Sequence, residues 1–355
     1  MSSTTSYPTR QLGKNGPFVS AIGFGAMGIG SAIYGPDASE EEKGALLTAA
    51  ADKGVTFWDT SDFYMTSEAN IGAWFAKTSR RSEIFLATKF GGSNLEDHRF
   101  SAPRSEPAYI LRRLANSLQD LQTDYIDLYY QHRVDPTVPI EVVLETLRPA
   151  VEKGTIRYLG LSECSVETLR RAKAVPGLGE KVVAAQMEFS PFEISIETNG
   201  FVAAARELGV AIVAYSPLGR GLISGRYRSR DDFPKDDFRL GIPRFSEENF
   251  PKNVQLVDKF QDIARKYDTT PAQVALAWIL AEHKDFFPIP GTRTIERLNE
   301  NAQGALLKLS DEDVKIIRKL VDEAAVVSGS RYTEAYLSSP GMSGNCIAMS
   351  EWKGE

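Results

Sequence analysis

The sequence has 355 residues, enough for two domains or for one large α/β barrel, and its 42% hydrophobic and 25% charged residues are typical of a globular protein. Its net charge of −6 argues against nucleic acid as a partner, because a phosphate backbone attracts basic surfaces. Two cysteines are too few for a disulfide framework or a thiol metal site, so we expect no metal and a reducing compartment. Without an apolar leader or an apolar run of membrane length, the sequence predicts a cytoplasmic protein with no membrane partner.

Apolar and β-branched runs of strand length recur along the chain. They occupy residues 19–25, 55–61, 83–90, 125–131, 156–162, 183–189, 210–216 and 286–291. Segments with helical spacing lie between them, among them 39–54, 106–122, 139–154 and 199–209. Strand–helix units repeated in this way, with no linker rich in Ser, Pro or Gly, favour a single (β/α)8 TIM barrel of the α/β class over a doubly wound sheet.

Three segments surround this repeat. Residues 9–23 carry two short strands around GKNG, which indicates a β-hairpin placed to plug the N-terminal end of the barrel. The barrel is expected at about 19–305 and a C-terminal helix and tail at 306–355, all within one domain, 1–355. Residues 226–253 are charged and follow the seventh strand, where a long excursion is either a lid and specificity element or a solvated loop.

Residues 23–28 read GFGAMG, which matches the glycine spacing of a dinucleotide-binding Rossmann turn. That turn needs a helix directly after the glycines and an acidic residue about twenty positions further on. Here the next helical pattern begins only at Ser39, and the acid that ends the second strand, Asp59, comes too late in the chain. The Rossmann interpretation therefore fails, and the glycines mark the end of a barrel strand.

Four polar residues lie at or just beyond the C-terminal ends of neighbouring strands, where barrel enzymes place their reactive groups. They are Asp59, Tyr64, Lys89 and His132. Each alone has a structural interpretation, but a lysine in a buried strand needs a partner, and Asp59 is the obvious one. We expect the Lys89 ammonium to lower the pKa of the Tyr64 phenol, while His132 orients a substrate oxygen. Such a cluster suits the reduction of a carbonyl group.

The sequence also carries, in order, GVTFWDTSDFY, LATKFG, DLYYQHR, GLSE, AQMEFSPF, VAYSPLGRGLISG, and PIPGT followed by ERLNEN. These stretches resemble the aldo-keto reductase superfamily over nearly the whole chain, and the long loops resemble its branch of fungal and plant pyridoxal and aldehyde reductases. The resemblance implies a catalytic tetrad of Asp59, Tyr64, Lys89 and His132. It implies an enzyme that reduces small aldehydes or ketones to alcohols with NADPH, with Tyr64 as the proton donor.

The resemblance also implies which residues hold the cofactor. They are Gly25, Ala26, Met27, Asp59, Ser162, Glu163, Gln186, Tyr215, Ser216, Pro217, Leu218, Gly221, Leu222, Gly291, Thr292, Arg293, Arg297, Glu300 and Asn301. By this resemblance, Ser162 and Gln186 contact the nicotinamide carboxamide and Tyr215 stacks on the ring. Thr292 and Arg297 hold the 2′-phosphate, with Glu300 and Asn301 at the adenine.

Two positions depart from the commoner pattern of the family. Glu163 stands where many members have Asn, and its carboxylate can accept from the carboxamide but cannot donate to it. Gly291 stands where many members have a lysine near the 2′-phosphate, and Arg293 is the candidate to supply the missing charge.

Two other functions remain open from the sequence. The same superfamily includes potassium-channel β subunits, which bind NADPH and act mainly as regulatory partners. A Schiff-base aldolase that uses Lys89 is a further alternative on the same fold. In each case the substrate pocket is expected among loops 92–105, 133–139 and 226–253 and the tail.

Overall fold

The computed structural model describes residues 6–31, 33, 35, 37–95 and 102–354. The strands among these residues are β1 (Thr9–Gln11), β2 (Phe18–Ser20), β3 (Phe24–Gly25), β4 (Phe57–Asp59), β5 (Phe85–Phe90), β6 (Ile126–Gln131), β7 (Ile156–Ser162), β8 (Val182–Glu188), β9 (Ala211–Tyr215) and β10 (Phe286–Pro288). The helices are α1 (Met27–Gly30), α2 (Glu40–Asp52), α3 (Ser67–Thr78), α4 (Pro107–Asp120), α5 (Ile140–Lys153), α6 (Val166–Ala174), α7 (Ser195–Thr198), α8 (Phe201–Glu207), α9 (Phe250–Lys266), α10 (Pro271–Glu282), α11 (Ile295–Gln303), α12 (Asp311–Ala325) and α13 (Glu334–Leu337). None of these helices combines the length and apolarity needed to cross a membrane.

Strands β3 to β10 form one parallel sheet in which each strand pairs with the next along the chain. The sheet closes on itself, because the amide of Gly23 donates to the carbonyl oxygen of Pro288 at 2.9 Å. The amide of Gly25 likewise donates to Pro290 at 3.2 Å. A Cβ at Gly25 would lie 2.8 Å from the carbonyl oxygen of Ile289, so glycine is required for the first and last strands to meet. The expected (β/α)8 barrel is confirmed.

The N-terminal hairpin closes one end of this barrel. Strands β1 and β2 pair antiparallel, and Leu12 and Val19 pack into the cluster of buried side chains inside the barrel. The amide of Lys14 donates to the carbonyl oxygen of Gly209, which lies just before β9, at 2.8 Å. The hairpin thus covers the N-terminal ends of the strands, as predicted, and leaves the C-terminal ends for a site.

One predicted strand is two strands in the structure. The apolar run 19–25 contains the end of β2 and, after a break at 21–23, the whole of β3. The break occurs because the first part pairs with β1 in the hairpin, whereas the second part pairs with β4 in the barrel. A single apolar run therefore serves two sheets.

The excursion after β9, residues 226–249, is a packed element. The rings of Tyr227 and Phe233 stack with centroids 4.1 Å apart, and Phe233 meets Phe245 edge-on at 5.7 Å. Nη1 of Arg239 donates to the carbonyl oxygen of Arg220 at 3.0 Å. The alternative of a purely solvated loop is therefore wrong, and the excursion ends before the predicted residue 253 because α9 begins at Phe250.

The C-terminal tail, residues 326–354, returns to the C-terminal ends of the strands. The carbonyl oxygen of Gly344 accepts from the amide of Ser165, just after β7, at 2.9 Å. The amide of Ile347 donates to the carbonyl oxygen of Pro136, beyond β6, at 3.1 Å. The tail therefore forms one wall of the barrel mouth. Within the predicted pocket loops, residues 96–101 lie outside the described part of the chain.

Candidate active site

The strand order brings the four predicted catalytic residues to one end of the barrel. Asp59 ends β4, Lys89 is the penultimate residue of β5, and His132 follows β6. The amide of His132 donates to the carbonyl oxygen of Phe90 at 2.8 Å, which fixes the imidazole beside β5. Tyr64 lies in the loop after β4. Parallel register thus places groups from distant parts of the sequence at one level.

Lys89 and Asp59 form a buried ion pair at the base of this cluster. Nζ of Lys89 donates to Oδ1 of Asp59 at 2.5 Å and to the carbonyl oxygen of Thr60 at 2.7 Å. Its third contact is with Oη of Tyr64, at 3.5 Å. Nε2 of Gln186 donates to the other carboxylate oxygen of Asp59 at 2.7 Å. Both charges are therefore hydrogen-bonded, as buried charges require.

The pKa of Lys89 is raised above its ordinary value. Burial acts to lower this pKa, but the neighbouring Asp59 carboxylate and Tyr64 phenol outweigh the effect. Lys89 is consequently an ammonium at neutral pH. Because a Schiff base forms only from the free amine, this protonation counts against the aldolase alternative.

The pKa of Tyr64 is also raised, contrary to the expectation from the sequence. The Lys89 ammonium does act to lower it, but burial of the phenol has the larger effect. A neighbouring cation favours the phenolate, but the cost of partly desolvating that phenolate is larger here. At neutral pH Tyr64 therefore keeps its proton.

His132 presents a neutral imidazole to this cluster. Burial lowers its pKa well below the ordinary value, and the positive charges of Lys89 and Arg133 lower it further. The ring stands edge-on to Tyr64 with centroids 5.7 Å apart. Its Nδ1 lies 3.0 Å from Oγ of Ser61. The phenol and the imidazole thus lie side by side above the ion pair.

The residues predicted to hold a nicotinamide surround this cluster. Ser162, at the end of β7, is in register with Gln186 of β8, and both are buried. The amide of Ala26 donates to the carbonyl oxygen of Asp59 at 2.8 Å, which ties the end of β3 to the site. The other predicted residues around the barrel mouth are Gly25 at the end of β3, Met27 at the start of α1, and Tyr215, Ser216, Pro217, Leu218, Gly221 and Leu222 in or after β9. The backbone turns sharply there, since Ser216 and Gly221 have φ values of 49° and 89°.

Glu163 is already engaged by the protein's own donors. Its Oε1 accepts from Nη1 of Arg331 at 2.7 Å and from Oη of Tyr215 at 2.9 Å. Nη2 of Arg331 donates to Oε2 at 2.6 Å, and the amide of Glu188 donates to Oε1 at 3.2 Å. The predicted acceptance from a carboxamide would have to compete with these four bonds.

The residues predicted for the 2′-phosphate lie around the start of α11. Thr294 caps this helix by accepting from the amide of Arg297 at 3.3 Å, and the Arg297 side chain is exposed. Nη1 of Arg293 donates to the carbonyl oxygen of Gly35 at 2.8 Å, so it bridges to the loop after α1. Gly291 and Thr292 complete this group, and Glu300 and Asn301, predicted at the adenine, lie further along α11. An exposed guanidinium at the positive end of a helix dipole fits an anionic phosphate.

Three residues of the site were not singled out from the sequence: Ser61, Arg133 and Arg331. One signal could have found the arginines. A buried carboxylate needs a cation just as a buried lysine needs an anion, and Glu163 at the end of a barrel strand was such a case. In the structure Arg331 and Arg133 both face it, with Nη1 of Arg133 at 3.5 Å from Oε2.

Comparisons with known proteins define the class to which this barrel and its strand-end cluster belong. Residues 21–322 match the model of the aldo/keto reductase family. An aldo-keto reductase of Schizosaccharomyces pombe, yakc, named with NADP(+), is 49% identical over 331 residues, which cover 92% of this chain and 95% of that protein. The aldo-keto reductase str7 of Strobilurus tenacellus is 46% identical over 325 residues, covering 90% and 93%.

A solved structure agrees with these sequence matches. The thermostable aldo-keto reductase Tm1743, in complex with the inhibitor epalrestat, superimposes with a TM-score of 0.69 at 28% identity. The match covers 88% of this chain and 99% of that one. The protein therefore belongs to the aldo/keto reductase family, and it is an oxidoreductase that acts on carbonyl groups.

Proposed function

We propose that this enzyme reduces aldehydes or ketones to alcohols with NADPH, and that Tyr64 donates the proton. The observation that carries the proposal is the contact between Nζ of Lys89 and Oη of Tyr64, at 3.5 Å, with Lys89 held by Asp59 at 2.5 Å. NADPH supplies the hydride when it is bound. A hydride added to a carbonyl carbon leaves an alkoxide, and a proton must reach that oxygen.

Four side chains of the protein carry out the other parts of the proposed reaction. Tyr64 keeps its proton until an alkoxide forms beside it, and the Lys89 ammonium then stabilises the phenolate that is left. His132, next to the phenol, holds the carbonyl oxygen. Asp59 keeps Lys89 charged and in place. Asp59 and Lys89 are buried and Tyr64 and His132 are half-buried, so the charges of the ion pair act strongly on the phenol.

Cofactor binding is proposed at the residues that surround the mouth. Ser162 and Gln186 bind the carboxamide, and Tyr215 stacks on the ring. Thr292 and Arg297 bind the 2′-phosphate, which suits the exposed guanidinium at the start of α11. The name of the fission yeast relative, which includes NADP(+), supports this choice of cofactor.

The proposal also covers the domain organisation and the cellular location of the enzyme. We propose one catalytic domain that acts in the cytoplasm on small carbonyl compounds. Cys164 and Cys346 are both free thiols, as expected in a reducing compartment.

Tyr64→Phe tests the proton donor. This change keeps the ring and deletes the proton, so kcat for aldehyde reduction should fall by about 10²- to 10⁴-fold, the usual effect of a positioned acid. The dissociation constant of NADPH should stay nearly the same. Tyr129→Phe is the matched control, because it deletes a buried phenol hydroxyl to which no described residue is hydrogen-bonded. Stopped-flow and steady-state assays with a panel of aliphatic, aromatic and heterocyclic aldehydes give both quantities.

Two outcomes would overturn the proposal in different ways. A Tyr64→Phe enzyme with kcat within a few-fold of the parent would assign the proton to another group. A parent protein that binds NADPH but oxidises it with none of the aldehydes would favour the regulatory role of the potassium-channel β subunits.

A further inference from the structure

Ser61 contacts the imidazole of His132, the proposed catalytic histidine. It lies between Asp59 and Tyr64 in the chain and is fully buried. Its Oγ is 3.0 Å from Nδ1 of His132. On the same ring edge, a Cβ added at Gly92 would come within 2.7 Å of Nδ1. The backbone of Gly92 and the hydroxyl of Ser61 thus enclose this nitrogen.

The geometry sets the direction of the hydrogen bond. The Ser61 hydroxyl accepts from the amide of Phe63 at 3.1 Å. Its own hydrogen has three acceptors in reach: Nδ1 of His132 at 3.0 Å, Oδ1 of Asp62 at 3.4 Å and the carbonyl oxygen of Lys89 at 3.5 Å. Hydroxyl hydrogen bonds are strong near 2.7–3.0 Å and weak beyond it. The distances therefore favour a hydrogen bond from the Ser61 hydroxyl to the imidazole.

A second observation makes Asp62 a poor acceptor for the hydrogen of the Ser61 hydroxyl. Its other carboxylate oxygen accepts from Nε of Arg113 at 2.8 Å, so the carboxylate already has a charged partner. That ion pair draws the carboxylate toward α4. The neutral nitrogen is closer to the serine hydroxyl, and it has no other donor among the described residues.

We propose that Ser61 is a positioning residue that holds His132 as the tautomer with its hydrogen on Nε2. With Nδ1 accepting from Ser61 and enclosed by Gly92, Nε2 is the ring nitrogen left to donate to a substrate oxygen. The opposite tautomer would present a lone pair to that oxygen and repel it. This inference rests on the proposed carbonyl reduction, because it assigns His132 the role of a hydrogen-bond donor to the carbonyl oxygen.

The tautomer can be measured without turnover. The sequence contains three histidines, so ¹⁵N-histidine labelling gives a simple spectrum, and His132→Gln identifies the signals of His132. In the resting parent at neutral pH we expect Nε2 to carry the hydrogen and Nδ1 to be the bare nitrogen. Ser61→Ala should convert His132 to a mixture of tautomers or to the Nδ1–H form.

Kinetics give the second readout. Ser61→Ala should lower kcat by about 2- to 13-fold, the fold-change that corresponds to 0.5–1.5 kcal/mol for one hydrogen bond, with NADPH affinity unchanged. Ser61→Thr keeps the hydroxyl and should restore the parent tautomer. Ser117→Ala is the matched control, since it deletes a buried hydroxyl that is bonded to Glu68 at 3.2 Å, away from His132. It should leave the histidine spectrum unchanged.

The result that overturns the inference is distinct from failure of the proposed function. A parent that reduces aldehydes but carries the hydrogen on Nδ1 would refute the role of Ser61 and leave Tyr64 as proton donor. A Ser61→Ala protein with the parent tautomer would do the same. Because the spectrum of the parent alone decides the first point, the inference stays testable even where a variant fails to fold.

Discussion

Two buried ion pairs lie at the mouth of the barrel, and they are held together in different ways. Lys89 and Asp59 come from neighbouring strands and are 30 positions apart in the chain. Arg331 and Glu163 are 168 positions apart, because Arg331 belongs to the C-terminal tail. Strand register therefore sets the first pair, and docking of the tail sets the second.

The two pairs belong to different parts of the mouth: the first to the proposed reaction centre, the second to the rim of the pocket. The side chain of Lys89 is 0% exposed, whereas that of Arg331 is 20% exposed and belongs to a C-terminal segment outside the sheet. The proposed reacting groups thus depend on the strands, the part of the fold that is hardest to unfold. The rim of the mouth depends on loops and the tail, which open more easily. We therefore expect substitutions at the strand-held pair to lower the stability of the fold, and substitutions at the rim to affect cofactor binding or the tail.

Lys89→Met should have the largest effect on the strand-held pair. It leaves the Asp59 carboxylate buried without its cation, which typically costs about 3–5 kcal/mol. Urea unfolding should show a loss of this size in the free energy of unfolding. The double variant Lys89→Met with Asp59→Leu removes both charges and should recover part of the loss. A loss below about 1 kcal/mol, typical of exposed pairs, would contradict the importance of burial here.

Arg297→Ala should have the next largest effect, confined to cofactor binding at the rim. A hydrogen bond to a charged group contributes about 1.5–3 kcal/mol, so NADPH should bind about 10- to 150-fold more weakly. NADH lacks the 2′-phosphate and should bind almost as before. Fluorescence titration with both cofactors measures this, with Arg265→Ala as a control at an exposed arginine of α9. Equal weakening of both cofactors would make Arg297 structural.

The same division explains what the sequence could predict. The barrel, the hairpin and the strand-end cluster follow from local apolar runs and from the rule that reactive groups gather at the C-terminal ends of barrel strands. The pKa of Tyr64 and the engagement of Glu163 could not be predicted in this way. The first depends on how completely the folded chain buries the phenol. The second depends on the path of the tail, which brings Arg331 to a strand end 168 positions away.

Arg331→Gln should have the smallest effect and should act on the tail alone. Because the Arg331 side chain is partly exposed, solvent screens the pair, and about 1 kcal/mol is the most we expect it to contribute. If the tail detaches, Glu163 is exposed to water, which solvates its charge. The free energy of global unfolding should therefore change little. Amide hydrogen exchange in residues 326–354 should accelerate by up to about fivefold, which corresponds to that free energy. Exchange in the barrel strands should stay the same.

The pKa of Glu163 provides an independent check on this last prediction. Burial raises this pKa, but the Arg331 guanidinium and the other partners outweigh it and hold the pKa at about 2, below the ordinary value of 4.5. A carboxyl group whose pKa is lower in the folded protein than in the unfolded chain stabilises the fold at pH values above its unfolded-state pKa. This contribution is lost as the pH falls through the folded-state pKa. The exchange difference between the parent and Arg331→Gln should therefore be complete at neutral pH and shrink between pH 4.5 and about 2. A difference that stays constant down to pH 2 would show that something other than this ion pair holds the tail.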